Sequence, residues 1–187
     1  RAECLRIMFH ELSRVHSHLL WLGLLADGLG FDSLFMHCWR IREKVLDVFE
    51  AITGGRVILS FCKVGGVRKD LTPEMLKLVK DTCDYVEDEM RKTALVFMKD
   101  SSVRNRLCGT GVLTKEDVID LCAVGPVARG SGVNNDVRTI NPMYKSLGFE
   151  PILYDEGDCW SRCMVRVDEI MQSLNIIRNA IANLPEG

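Results

Sequence analysis

Three basic side chains lie four residues apart near the N-terminus: His10, Arg14 and His18. Residues at this spacing share one face of an α-helix, and here that face lies opposite an apolar stripe. Because the same face becomes apolar at Trp21, Arg14 and His18 are expected in a partly buried environment. A buried guanidinium requires an acceptor, so the pattern indicates either an ion pair with a carboxylate of a neighbouring helix or a functional site. A zinc site is disfavoured, since no acidic ligand falls in register.

A second set of polar residues lies between residues 123 and 157. Arg129 opens the segment 129–132 (Arg-Gly-Ser-Gly), in which flexible backbone beside a guanidinium could form an anion-binding nest or lie against a cofactor. A tight turn explains the same residues. Asp136 and Arg138 follow closely, so polar residues are concentrated in a stretch without periodicity. Long irregular segments in compact domains are often functional.

The eight cysteines are scattered singly and form no C-x-x-C pair. They are interpreted as reduced, buried, small apolar residues rather than as a disulfide framework. Cys159 and Cys163 stand one helical turn apart, a spacing compatible with two metal ligands, but no further ligand accompanies them, so core packing is favoured. A hydrolase triad is likewise unsupported, because no serine has a histidine and an acid at recognisable spacing.

Composition restricts the possible partners. The 187 residues include 24 Lys or Arg and 26 Asp or Glu, interspersed along the chain, so no basic face indicates a nucleic-acid partner. An apolar fraction of 47% suffices for one well-filled core, and a single domain over 1–187 is predicted. No apolar run reaches membrane-spanning length. Because a helical pattern is already present at Arg1, the chain is expected to be an internal piece of a longer protein.

The elements that must position these residues are predicted to be mainly helical. Apolar periodicity predicts a multihelical bundle of long helices with one short β segment and a long ordered loop. In chain order the predicted elements are a helix over about 2–26, a helix ending at Gly54 and Gly55, a strand over 57–64, a helix from the Thr72 cap to about Lys99, a short helix from Thr114 to about Cys122, the irregular stretch 123–157, and a last helix that Asp158 caps and Pro185 ends.

Many motifs, in this order, resemble the large catalytic subunit of membrane-bound nickel–iron (NiFe) hydrogenases and its relative, the quinone-site D subunit of respiratory complex I. The matching positions are 1–6, 11–14, 18–20, 42–44, 54 with 56, 65–67 with 70, 125, 129–132, 136 with 138, 142 with 144, 157–159 with 162, 166 with 169, 172–173 and 184–187. The resemblance spans the whole chain and implies the helical fold of that subunit.

What the resemblance implies is H2 oxidation or proton reduction at a nickel–iron centre, coupled to ion translocation. In that family four cysteines hold the metal, two in a C-x-x-C motif upstream of this region and two downstream. Neither motif occurs in this chain. The resemblance therefore implies that these residues bind no metal or other cofactor, are inactive alone, and pack around the active site as the helical middle of the subunit.

The resemblance also implies partners and interior contacts. The partners are a small electron-transfer subunit with a 4Fe–4S cluster and membrane subunits that translocate ions, which would place the protein peripherally on the cytoplasmic side of a membrane. Isolated from its parent, the chain is expected to expose apolar surface and self-associate. The residues expected to hydrogen-bond around the active site or at an interface are Arg14, His18, Asp70, Arg129, Asp136 and Arg138.

Two positions separate the branches of this superfamily. Where the quinone branch has an aspartate of the quinone pocket this chain has Gly28, and where it has a histidine close to the terminal iron–sulfur cluster this chain has Ile58. The segments 16–23, 30–36 and 125–129 resemble energy-converting hydrogenases. A hydrogenase is therefore the main expectation, with a quinone-site D subunit or a metal-free scaffold homologue as alternatives.

Overall fold

The structure, a computed structural model, describes residues 1–186; Gly187, the end of the predicted domain and of its closing motif, lies outside the described residues. The helices are α1 (Ala2–Gly28), α2 (Asp32–Thr53), α3 (Pro73–Lys99), α4 (Ser101–Leu107), α5 (Lys115–Asp120), α6 (Pro126–Arg129), α7 (Pro142–Ser146) and α8 (Cys159–Ala182), with a 3-10 helix at Val137–Ile140 and two strands, β1 (Cys62–Lys63) and β2 (Gly66–Val67). The predicted mainly α fold is confirmed. Within the described residues, no helix is both long enough and apolar enough to cross a membrane.

The chain forms two compact units, which are described separately. Unit 1 contains Arg1–Glu89 and the residues from Met171 onward, and unit 2 contains Met90–Ile170. In unit 1, α1 and α2 run antiparallel, since Phe9 stacks on Phe49 while Gly23, further along α1, lies against Trp39 at the start of α2. The helix α2 ends as predicted at Gly54, whose positive φ of 81° suits glycine and whose N–H donates to the carbonyl of Glu50.

The close approach of α1 to α2 gives a test of packing. A Cβ atom built on Gly23 would lie 2.8 Å from Cδ1 of Trp39, whereas a Cβ on Gly28, also in α1, would meet nothing within 4 Å. We expect Gly23→Ala to lower the free energy of unfolding by about 1–3 kcal/mol through overpacking, and Gly28→Ala to raise it by up to about 1 kcal/mol through helix propensity. Urea unfolding followed by circular dichroism measures both; equal effects would contradict the packing.

The predicted short strand over 57–64 is confirmed only near its end, at Cys62 and Lys63. Only Cys62 and Lys63 pair, antiparallel to Val67 and Gly66 in a two-residue ladder. The β-branched composition is real, but a strand needs a partner for its backbone groups, and the positive φ of 44° at Ser60 interrupts extended backbone just before the ladder. Val57 and Ile58 therefore lie on the surface, with Ile58 84% exposed, whereas Phe61 is buried against Phe9.

Unit 2 consists of short elements joined by turns. The capping box is confirmed: Thr114 Oγ1 accepts from the backbone N–H of Asp117, whose side chain accepts from the N–H of Thr114, although α5 ends at Asp120 rather than near Cys122. The predicted irregular stretch contains α6, the 3-10 helix and α7. The helix α4 was not predicted, because its only sequence signal is a single cap, Asp100, ahead of seven residues.

Candidate functional site

Four charged side chains are buried together in unit 2, and we call them the arginine–carboxylate cluster: Arg129, Asp136, Arg138 and Glu169. Each is at most 6% exposed. Arg129 donates from Nε to Glu169 Oε1 at 2.6 Å and lies 3.3 Å from Asp136 Oδ2 through Nη1. Arg138 pairs with Asp136 at 2.7 Å and approaches Glu169 to 3.6 Å. Each guanidinium therefore faces both carboxylates.

Separate elements bring these side chains together. Arg129 is the last residue of α6, which begins at Pro126 because proline suits the first helical position. Asp136 precedes the 3-10 helix and caps it by accepting from the backbone N–H of Arg138, so the two partners are held by a local turn. Glu169 lies on α8 and connects the loop residues to a long helix.

The electrostatics of the cluster favour ionised carboxylates. Burial alone would raise the pKa of Asp136, but hydrogen bonds from Arg138 and the charges of Arg138 and Arg129 hold it below its usual range. Arg166, also buried, interacts with Glu169, and burial lowers its pKa to about 10. Arg166 thus adds a third buried guanidinium beside Glu169.

The segment 129–132 is a tight turn rather than an anion-binding nest. The backbone N–H groups of Gly130, Ser131 and Gly132 donate to the carbonyls of Pro126, Ala128 and Arg129 at 2.9–3.2 Å. Because these donors are engaged by the chain itself, they cannot converge on an anion. The alternative of a tight turn is confirmed, and the function of the segment is to present the Arg129 side chain to Glu169.

A cavity of about 360 Å³ adjoins the cluster. It is lined by Arg138, Asn141, Lys145, Phe149 and Glu150, among others. The guanidinium carbon of Arg138 lies 4.3 Å from the centroid of the Phe149 ring, a cation–π contact that fixes the side chain between the cluster and the cavity. Arg138 therefore lies between the buried charges and the cavity.

A second acid of unit 2, Asp158, supports the same loops. It accepts from the backbone N–H of Ser161, capping α8, and from that of Gly109, both at 2.8 Å. Burial would raise the pKa of Asp158, but these hydrogen bonds lower it below its ordinary value. The predicted cap is confirmed and also ties the segment after α4 to α8.

These depressed pKa values predict acid sensitivity. An acid whose pKa is lower in the folded than in the unfolded state stabilises the fold. This stabilisation is complete above the pKa of the unfolded state, about 3.9 for aspartate. It is lost as the pH falls through the pKa of the folded state. We expect a steady free energy of unfolding at pH 5–7 and a decline below about pH 4. Asp158→Asn should be less stable at pH 7 and decline less steeply in urea unfolding across this range. If the free energy of unfolding declined equally with pH in the wild-type and Asp158→Asn proteins, the contribution of the Asp158 carboxylate to acid sensitivity would be contradicted.

The other predicted site residues lie in unit 1, apart from the cluster in sequence. Exposure falls along the predicted face of α1: His10 is exposed, Arg14 half-buried and His18 7% exposed. Arg14 pairs at 3.3 Å with Glu11 of its own helix. Asp70, exposed after the β-hairpin, accepts from Arg1 at 2.7 Å.

None of the eight cysteines, all of which lie within residues 1–186, forms a disulfide, but only some of them are buried. Cys4, Cys38, Cys83 and Cys163 are buried and Cys159 is intermediate, whereas Cys62, Cys108 and Cys122 are exposed, so the prediction of uniform burial is wrong for these three. The exposed thiols lie in the hairpin and in turns that follow helices, where apolar periodicity does not apply. No group of three or more His, Cys, Asp or Glu side chains suited to a metal ion occurs in residues 1–186.

Sequence reasoning missed the buried acids on helices. Glu169 and Ser173 follow Val165 at steps of four and so lie on the apolar stripe of α8, a signal that was available. Glu11 of α1, 0% exposed, accepts from Ser173 Oγ at 2.6 Å within unit 1. An acid within an apolar stripe predicts a buried partner, which sequence spacing alone does not identify.

A tyrosine–aspartate pair was also missed. Tyr154 Oη donates to Asp168 Oδ2 at 2.7 Å in unit 2. Burial raises the pKa of both groups, so the tyrosine keeps its proton and the carboxyl holds its own more tightly than usual. The two residues are 14 positions apart in an irregular segment and a helix, and no motif links them.

The chain is similar in sequence to known proteins over the region that contains the cluster. A family model described as "Respiratory-chain NADH dehydrogenase, 49 Kd subunit" matches residues 28–187, which include the whole cluster. The chain belongs to this family. Members of the family are named as oxidoreductases, among them NADH-quinone oxidoreductases and a hydrogenase.

Individual relatives match over the entire chain. The fused C/D polypeptide of an NADH-quinone oxidoreductase from Bacteroides thetaiotaomicron is 41% identical, and 36% of its length is covered. The D 2 polypeptide of the same kind of enzyme from Rhizobium etli is 40% identical with 47% covered. The alpha polypeptide of a membrane-bound hydrogenase from Pyrococcus furiosus is 37% identical with 46% covered. The chain thus spans between a third and a half of the length of these relatives.

Proposed function

We propose that the chain belongs to the large subunit of a membrane-associated nickel–iron hydrogenase, which interconverts H2 with protons and electrons and couples this reaction to ion translocation. The observation that carries the proposal is Ile58. It is 84% exposed at the position where the quinone branch has a histidine close to the terminal iron–sulfur cluster. An aliphatic side chain neither titrates nor donates a hydrogen bond, so it cannot replace that imidazole. Gly28 departs from the quinone branch in the same way.

A second candidate is a quinone-site D subunit of an NADH:quinone oxidoreductase. The family description and the names of most of the similar relatives favour it, and the identities of 37% to the hydrogenase and 40–41% to the quinone enzymes differ little. A metal-free scaffold homologue is the third candidate. All three candidates share the fold, so they have to be distinguished by the metal content and the activity of the whole protein.

In the proposed function these residues supply support rather than metal ligands. The described residues offer no ligand set for nickel, and we infer that the ligand cysteines lie outside them and that the chain alone is inactive. The arginine–carboxylate cluster would hold the loops of unit 2 and fix the position of Arg138 beside the cavity. Such buried charge, fixed in position, can orient hydrogen bonds and favour anionic groups.

The proposed partners are a small subunit that carries a 4Fe–4S cluster and membrane subunits that translocate ions, with no nucleic acid involved. Val57, Ile58 and Val64 expose apolar side chains around the β-hairpin, with Val64 fully exposed. Clustered exposed apolar residues are typical of protein interfaces. This surface supports docking of the small subunit at the hairpin and a peripheral location on the cytoplasmic side of a membrane. Without partners, the same surface is expected to drive self-association.

The deciding experiment is metal analysis of the full-length native protein with its small subunit, together with hydrogen-dependent dye reduction. Stoichiometric nickel and hydrogen uptake would establish the hydrogenase. Absence of nickel with binding of a quinone analogue would establish the second candidate. Absence of both would leave the scaffold.

Arg14 gives a test at the level of one residue. In the full-length protein we expect Arg14→Ala to lower turnover about 10–100-fold and to impair activity more than folding, because the buried Glu11 loses one partner but keeps its hydrogen bond from Ser173. His10→Ala is the matched control, since His10 lies on the same face and is exposed. Wild-type turnover in well-folded Arg14→Ala protein would refute a functional role for this side chain.

A further inference from the structure

Arg42, on α2 in unit 1, is a buried cation without an acidic partner among residues 1–186. It is 8% exposed, its Nε is enclosed and has no hydrogen-bond acceptor, and no described carboxylate forms an ion pair with it. An enclosed guanidinium without an anion is strongly unfavourable, because its lost hydration is not replaced. The chain therefore keeps a charge that its own described residues do not compensate.

Other buried arginines of this protein have carboxylates or a backbone carbonyl as partners. Arg129 and Arg138 each face two carboxylates, and Arg166 donates to the carbonyl of Arg162 at 2.6 Å. Arg42 has only the ring of Trp39, with its guanidinium carbon 5.1 Å from the ring centroid. A cation–π contact contributes less than a buried ion pair and leaves the N–H donors unused.

Neighbouring groups hold Arg42 in place but do not neutralise it. The indole of Trp39 is wedged against α1, where a Cβ on Gly23 would lie 2.9 Å from its Nε1. His16 has its pKa lowered by burial and then by the charge of Arg42, so its ring is neutral at neutral pH. The Nε1 of Trp39 and the Nδ1 of His16 are also enclosed without hydrogen-bond partners. Unused polar atoms thus accompany the uncompensated charge.

We propose that Arg42 binds a carboxylate supplied from outside residues 1–186. The planar fork of a guanidinium matches the two oxygens of a carboxylate, and the indole covers one face of Arg42, leaving its edge as the binding surface. The small residual exposure suits a planar carboxylate rather than a bulkier tetrahedral phosphate. The inference goes beyond the proposed hydrogenase function and does not depend on it.

The carboxylate can come from a protein side chain or from a free small acid. Trp39, whose ring covers Arg42, lines an open groove of about 740 Å³ together with Met36 and Glu43, and Arg42 itself does not line this groove. Met36 is 64% exposed. A polypeptide lying in this groove would bury Met36 and place an acidic side chain next to Trp39, whereas a free ion would use Arg42 alone.

The first measurement is the melting temperature of the full-length protein in formate and in chloride at equal ionic strength, about 0.1 M. Formate is the smallest carboxylate probe. We expect formate to raise the melting temperature by about 2–4 °C more than chloride, and Arg42→Gln to abolish the difference. Arg40→Gln, an exposed neighbour that pairs with Glu89, is the matched control and should keep it. Arg42→Lys retains the charge without the fork and should show a reduced shift, even if the glutamine variant does not fold.

No formate-specific shift in the wild-type protein, or the same shift in Arg42→Gln, would overturn the proposal. Repeating the melting-temperature measurement on the assembled complex shows whether the carboxylate comes from a partner's side chain or from a free acid. If a partner's side chain fills the site, the formate shift disappears on assembly and Arg42→Gln weakens assembly at least tenfold. If the ligand is a free acid, the shift persists on assembly and Arg42→Gln assembles normally.

Discussion

Glu169→Gln is expected to lower the free energy of unfolding by about 3–5 kcal/mol, the effect typical of removing one partner from a buried ion pair. Glu169 is fully enclosed and lies 2.6 Å from Arg129 Nε and 3.6 Å from Arg138. Glutamine preserves the shape but removes the charge, so Arg129 and Arg138 each lose a buried anionic neighbour. Urea unfolding at pH 7 measures the loss.

The control for Glu169 is its neighbour on α8. Asp168→Asn also removes a carboxylate, but Tyr154 can still donate to the amide oxygen, so a loss of only about 1 kcal/mol is expected. If Glu169→Gln and Asp168→Asn lowered the free energy of unfolding by similar amounts, the ion pairs of the cluster would contribute no more to stability than the tyrosine–aspartate hydrogen bond. In a double-mutant cycle, Arg129→Leu and Glu169→Leu together should cost less than the sum of the single changes, because neither charge is then left alone.

Glu11→Ala is expected to cost about 2–4 kcal/mol in unit 1. The variant leaves a cavity at a fully enclosed position and removes the acceptor of Ser173 Oγ and the partner of Arg14. Glu11→Gln is the matched control, since it fills the space and can still accept from Ser173, and it should lose less than half as much. If the two variants were equally unstable, the charge rather than the packing and hydrogen bond would be the dominant contribution.

The long helices were predictable because their signals are local. The apolar period of α1 and the cap at Thr72 lie within single stretches of chain, and a glycine with positive φ ends α2 where expected at Gly54. The strand predicted over 57–64 is much shorter in the structure for the opposite reason, since the length of a strand depends on a partner that residue preferences do not reveal.

The residues that the irregular stretch contributes to the candidate site were predictable from the sequence. Arg129, Asp136 and Arg138 are conspicuous in an irregular stretch, and the structure brings them together, although their functional roles stay a prediction. Glu169, which completes the cluster, lies 31 residues beyond Arg138 on a helix, and its partner is fixed only by the fold. Arg42 is the clearest limit of sequence reasoning, because an arginine on a helix surface and one enclosed by Trp39 have the same local pattern.

The enclosure of the arginine–carboxylate cluster has a consequence for electron transfer. Water screens its charges poorly, so the gain or loss of one of them acts over a longer distance than a change at the surface. Loss of a guanidinium would destabilise the reduced form of a redox centre within reach, and about 1.4 kcal/mol corresponds to about 59 mV for one electron. Removing Arg166 or adding a carboxylate would therefore shift electrons away from such a centre, without any change in its own ligands.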